Sequence, residues 1–153
     1  MAKLSVKLQK PTIELPVKAK DAAGEVDTIK VGFKRYEQKD SQAKLKKLQE
    51  ILKAEEENEE LTTEQLDRAI AEEIVYIKDV NLELEDDNNK VKKVHIADTR
   101  TATPIPTLWE TSEECLAVLT ELYLASSPYR VGLLSASMKA LVNSDFASGE
   151  IKN

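Results

Sequence analysis

Near its start the chain alternates apolar and polar residues in three runs. Leu4, Val6 and Leu8 alternate with Lys3, Ser5 and Lys7. Ile13, Leu15, Val17 and Ala19 alternate with Glu14, Pro16 and Lys18, and Ile29, Val31 and Phe33 with Lys30, Gly32 and Lys34. A period of two sends one set of side chains inward and the other into water, which predicts antiparallel strands covered on one face. Gln9-Lys10-Pro11 and the stretch from Asp21 to Glu25 supply turn chemistry between the runs. Pro16 cannot donate a ladder hydrogen bond, so its strand is expected at a sheet edge.

The spacing then lengthens. Leu45, Leu48, Ile51 and Leu52 recur at helical intervals, with Asp40 or Ser41 able to cap the start. Glu55, Glu56, Glu57, Glu59 and Glu60 close that helix in an acidic stretch that opposes the negative end of its dipole. Thr62 with Gln65 forms a capping-box pair, and Leu61 with Leu66 a hydrophobic staple, predicting a second helix that carries Leu66, Ala69 and Ile70 inward. The apolar run from Ile74 to Ile77 either ends that helix or begins a strand. Val80, Leu82 and Leu84, the turn Asp86-Asp87-Asn88-Asn89, and Val94 with Ile96 then predict a β-hairpin with acidic and basic outer faces opposed. Residues 99–107, broken by Pro104 and Pro106, are expected to form a linker or edge segment.

The last third is helical. Thr111 with Glu114 makes another capping box, and Ser127-Pro128 marks a further start, because proline at the first helical position sacrifices no hydrogen bond. The short break at 125–127 makes the two helices an αα-hairpin, with residues 148–153 expected to fray. The pattern therefore predicts a single α+β domain over residues 1–153. It comprises N-terminal antiparallel strands over 1–36, helices over 40–73, a β-hairpin over 78–97 and a helical hairpin over 111–144.

Length supports that organisation: a chain of 153 residues buries roughly 68–70% of the surface its unfolded form exposes and needs no staples. Aromatics make up only 5%, so the core is expected to be Leu, Val, Ile and Ala. Cys115 is the only cysteine, which excludes an internal disulfide and fits a reducing cytosol. The N-terminal residues lack a signal peptide's apolar block, and no run of 18 apolar residues exists to span a bilayer, so neither secretion nor membrane insertion is expected. Residues 1–53 carry a balance of +6 and residues 54–153 a balance of −12. Scattered lysines and few aromatics favour neutralisation within one fold over a nucleic-acid surface, and no nucleic-acid partner is expected.

Catalytic chemistry is sparse. His95, the only histidine, has no second histidine or spare cysteine with which to hold a metal, and reads as a sheet-surface residue. Cys115 lies in the first turn of a helix, where the dipole lowers a thiol's pKa, but it also faces the leucine stripe and reads as a core thiol. An EF-hand loop counted from Asp86 needs glycine sixth and glutamate twelfth; Val91 and Ala97 stand there instead. The four glycines form no phosphate-cradling cluster. A non-enzymatic protein with no cofactor or metal is expected, acting through protein partners. The feature that stands out is the width of the apolar arcs on the last two helices, Leu116, Val118, Leu119, Leu122, Tyr123 and Leu124 on one and Leu133, Leu134, Met138, Leu141 and Val142 on the other. Such helices pack on both sides or present a face to a partner. Tyr129, Leu133, Leu134, Met138 and Leu141 are the candidate partner-binding residues, Met138 being adaptable in shape. Self-association into a homo-oligomer fits the same arcs.

In the order of its elements the chain resembles the tail assembly chaperones of tailed bacteriophages. The strand pair Thr12-Ile-Glu-Leu-Pro-Val-Lys18 and Ile29-Lys-Val-Gly-Phe-Lys-Arg35 runs directly into a charged helix. A later helical part follows, here Thr107-Leu-Trp-Glu-Thr-Ser-Glu-Glu-Cys-Leu116 and Ser127-Pro-Tyr-Arg-Val131. The resemblance implies work in the cytoplasm of the infected bacterial host, with the tape measure protein and tail tube subunits as partners. The hairpin at 80–96 departs from the family pattern. It leaves open a virion structural subunit (tube, head-completion or cement protein) or a small regulatory or inhibitor protein.

Overall fold

The computed structural model describes the backbone of residues 11–20, 23–57 and 59–150 and the side chains of 11–20, 23–54 and 64–142. The run at Leu4, Val6 and Leu8 lies outside them. The next two alternating runs form strands β1 (Thr12–Lys20) and β2 (Val26–Lys34), paired antiparallel with Pro16 opposite Lys30. Helices α1 (Gln38–Glu57) and α2 (Glu59–Glu73) follow, then β3 (Ile74–Glu85) and β4 (Val91–Asp98). After a single 3-10 turn at Thr99–Thr101 the chain ends in α3 (Ser112–Ala125) and α4 (Ser127–Glu150). The fold is α+β, as the periodicities predict.

Several boundaries differ from the sequence expectation. The apolar run at Ile74 begins a strand, so the hairpin starts four residues before the expected 78. α2 begins at Glu59, which puts Thr62 inside the helix and not at its cap. α4 runs to Glu150, beyond the expected 144 and into the stretch expected to fray. Of the two expectations for residues 99–107, a linker or an edge segment, the second is nearer: Ile105 forms a β-bridge with Trp109, and the indole Nε1 of the buried Trp109 donates to the Thr103 carbonyl at 3.1 Å.

The strands form one antiparallel sheet in the order β1-β2-β3-β4. The two hairpins therefore belong together: β2 pairs with β3 across the α1–α2 insertion, with Val31 opposite Ile77 and Gly32 opposite Tyr76. Among the described residues β1 is an edge strand, where Pro16 is tolerated. Helices cover one face, against which Val17, Ile29, Val31, Phe33, Ile77 and Val80 are buried. Ile77 and Val80 are three residues apart, yet both enter the core. Asp79 between them adopts a left-handed conformation (φ 59°), which interrupts the alternation. α4 packs on β1 and α1 through Gly132, Ala136 and Ala140, small residues at intervals of four. A Cβ on Gly132 would lie 2.9 Å from Val17 Cγ1 and 3.4 Å from the Lys18 carbonyl oxygen.

The opposite face of the sheet is mostly polar, and its largest apolar group is Tyr76. Tyr76 lies across Gly32, where any Cβ would sit 2.1 Å from its ring, and its hydroxyl donates to Glu14 on β1 at 3.0 Å. Lys78 reaches the same carboxylate at 2.8 Å, and the Arg100 guanidinium stacks 3.9 Å from the Tyr76 ring centroid while forking onto Asp98. Lys78 holds the Glu14 carboxyl below its ordinary range, whereas burial, then the bond to Glu14, pushes the Tyr76 phenol up.

Two outcomes are expected. Gly32→Ala costs about 1–3 kcal/mol by overpacking against Tyr76, measured by urea unfolding, and the penalty shrinks in a Tyr76→Ala background, where the ring is gone. Burial pushes the Cys115 thiol up to about 11, so the core holds the neutral form. Its contribution is complete below the unfolded thiol's value of ~8.5 and is lost as pH rises toward the folded value. Unfolding free energy is therefore expected to fall between roughly pH 8.5 and 10, before unfolded tyrosines ionise, and Cys115→Ala removes that slope.

Candidate functional site

Thr111 caps α3, accepting the Glu114 N–H at 3.1 Å, and the Glu114 carboxylate accepts the Glu110 N–H at 3.1 Å. The cap sets the phase of the helix. Cys115, Leu119 and Tyr123 point into the core, while Glu113, Leu116, Ala117, Thr120, Glu121 and Leu124 line an open groove. Its other wall comes from the end of α2 and the first residue of β3, namely Asp67, Arg68, Ala71 and Ile74. The groove has a volume of about 570 Å³ and an apolar floor with charged residues at its rim. Arg130 of α4 donates to Asp67 at 2.8 Å, tying the last helix to the α2 wall. Outside the groove, Leu122, Val131 and Val142 are between 50% and 66% exposed on the helical hairpin.

The candidate residues of α4 divide between interior and surface. Leu133 and Leu141 are buried in the common core, which they help to build in this conformation. Leu134 and Met138 are half-buried on its margin. Tyr129 packs its ring 4.6 Å from that of Tyr123 and donates a short hydrogen bond to Asp27 of β2. The Tyr123 hydroxyl is buried with no hydrogen-bond partner among the described residues, and burial pushes its pKa well above the ordinary value. The five candidates thus share a helix without sharing an outward face. The α2 wall of the groove went unread in the sequence, because Leu66 and Ile70 assign the inward stripe and leave 67, 68 and 71 to solvent. The surplus width of the α3 arc was the available signal that something besides the core lay beside it.

His95 is exposed on β4, with its Nδ1 2.9 Å from Asn81 Oδ1. Asp86 closes the hairpin turn, its carboxylate accepting the Asn88 and Lys90 N–H groups. Among the described residues no group of three or more His, Cys, Asp or Glu side chains is arranged to hold a metal ion. No described helix is long and apolar enough to cross a membrane.

No curated protein and no solved structure matches the chain. A family model described as phage tail assembly chaperone matches residues 1–121, which takes in every described strand, α1, α2 and most of α3. That extent is decisive: the chain belongs to the phage tail assembly chaperone family and has its role in phage tail assembly.

Proposed function

We propose that this single-domain protein works without catalysis or cofactor, holding apolar helices of the tape measure protein in solution and recruiting tail tube subunits to them. Its place of action is the cytoplasm of the infected bacterial host. The observation that carries the reading is the open groove between α2 and α3, whose apolar floor and charged rim suit the apolar face of an amphipathic helix. The helical hairpin over 111–144 is the client-bearing element. Leu116, Ala117 and Leu124 supply its groove, and Tyr129, Leu134 and Met138 a flank that the client reaches from the side. Leu133 and Leu141 serve from within, fixing the position of α4. Family membership supports protein partners of this kind, and the exposed Leu122, Val131 and Val142 are what a client-handling surface requires.

Co-expression with the tape measure protein tests the reading. Ala117→Asp, at an exposed groove position, is expected to weaken co-purification about tenfold, equivalent to ~1.4 kcal/mol, with an unchanged circular dichroism spectrum. Paired substitutions Leu134→Asp and Met138→Asp probe the α4 flank. If all three variants fold and still retain the client fully, the helical hairpin is not its seat. Purified virions are expected to lack the chain, whereas a tube, head-completion or cement protein remains in them.

A further inference from the structure

Strand β4 ends the sheet. It pairs with β3, and among the described residues nothing pairs with its other edge. The Asp86 N–H donates to the Lys90 carbonyl at 3.0 Å. Stepping by two from there, Leu84 with Lys92, Leu82 with Val94 and Val80 with Ile96 are the pairs that exchange backbone bonds. The N–H and C=O groups of Val91, Lys93, His95 and Ala97 consequently turn outward, and all four residues are exposed. A groove of about 610 Å³ lies between β4 and residues 101–106, with Val94, Ile96, Ala102 and Ile105 among its walls.

An open edge next to an apolar trough is a template for an extended occupant, whose backbone replaces the water on the outward amides. The charges decide which strand. Lys93, on the face away from Val94 and Ile96, forms no ion pair among the described residues although Glu83 stands opposite it. Lys90 and Lys92, also without ion pairs among the described residues, lie toward the turn end of the trough. Edge lysines repel a second copy of the same strand, but they attract an acidic one. We propose that the β4 edge receives, as a fifth strand, an extended segment of a partner protein in which acidic and apolar residues alternate. The apolar side chains enter the trough against Val94, Ile96 and Ile105, and the acidic ones face Lys93. From Val91 to Ala97 the edge is about 20 Å long at ~3.3 Å per residue, room for roughly six residues of partner. This surface is separate from the α2–α3 groove, so the fate of one proposal does not decide the other.

The test is a titration of the full-length, 15N-labelled chain with a short peptide alternating glutamate and valine. Shift changes and slowed amide exchange are expected at Val91, Lys93, His95 and Ala97. A lysine–valine counterpart, or the same peptide N-methylated at alternate positions, is expected to bind at least tenfold more weakly. His95→Pro removes an outward N–H without costing a backbone bond to β3, giving up only the imidazole contact with Asn81, and is expected to reduce binding at least tenfold with an unchanged circular dichroism spectrum. Lys93→Glu is expected to weaken binding in the same direction and serves if the proline variant does not fold. The proposal is overturned by no binding at millimolar peptide, by protection elsewhere in the chain, by equal affinity for the glutamate and lysine peptides, or by undiminished binding to the folded variants. A concentration-dependent dimer with residues 91–97 protected in the absence of peptide would make the occupant a second copy and overturn it too.

Discussion

Everything in this fold depends on the pairing of β2 with β3. Each hairpin is local and two-stranded, and a two-stranded hairpin alone is marginal in water. Only when Val31 meets Ile77 do they become a four-stranded sheet wide enough to support four helices. The pairing spans the whole α1–α2 insertion, so its loop-closure entropy must be offset by what forms at the seam. There the seam is sealed on both faces: Ile29, Val31 and Ile77 are buried beneath the helices, and Tyr76 lies over Gly32 to reach Glu14. The tyrosine covers the one place where β2 has no side chain and links three strands at once. Lys78 and Arg100 then shield its ring from water.

The same distinction between local and distant signals explains what was legible in the sequence. Alternation at Ile13 to Ala19 and at Ile29 to Phe33, the cap at Thr111, and proline after Ser127 are all local, and each names its element. The β2–β3 register is not local, and no run of residues states it. The left-handed Asp79 was also hidden, because an aspartate within an apolar run resembles any solvent-facing position until Ile77 and Val80 are both found inside. Residues 99–107 suggest a linker or an edge segment because Pro104 and Pro106 interrupt any regular pattern there. The Trp109 indole, satisfied by a carbonyl only six residues away, turns that stretch into a folded plug.

The candidate site was half-legible for a related reason. The apolar arc of α3 is wider than one core contact requires, and that excess is visible in the order of residues. Its partner wall consists of Asp67, Arg68 and Ala71, an ordinary solvent-facing set until α3 is placed beside it. On α4 the arc leaves two readings open, packing on both sides or a partner face, and in this conformation Leu133 and Leu141 are interior while Gly132 meets β1 closely. Hydrophobic content announces burial in general; which neighbour does the burying is a tertiary fact.

That close seating of α4 has an evolutionary side. The family match stops at residue 121, so the helix lying on β1 and α1 falls outside the span shared with the family profile. Within this chain the sheet is the chassis, and the last helix is the part fitted over its β1 end.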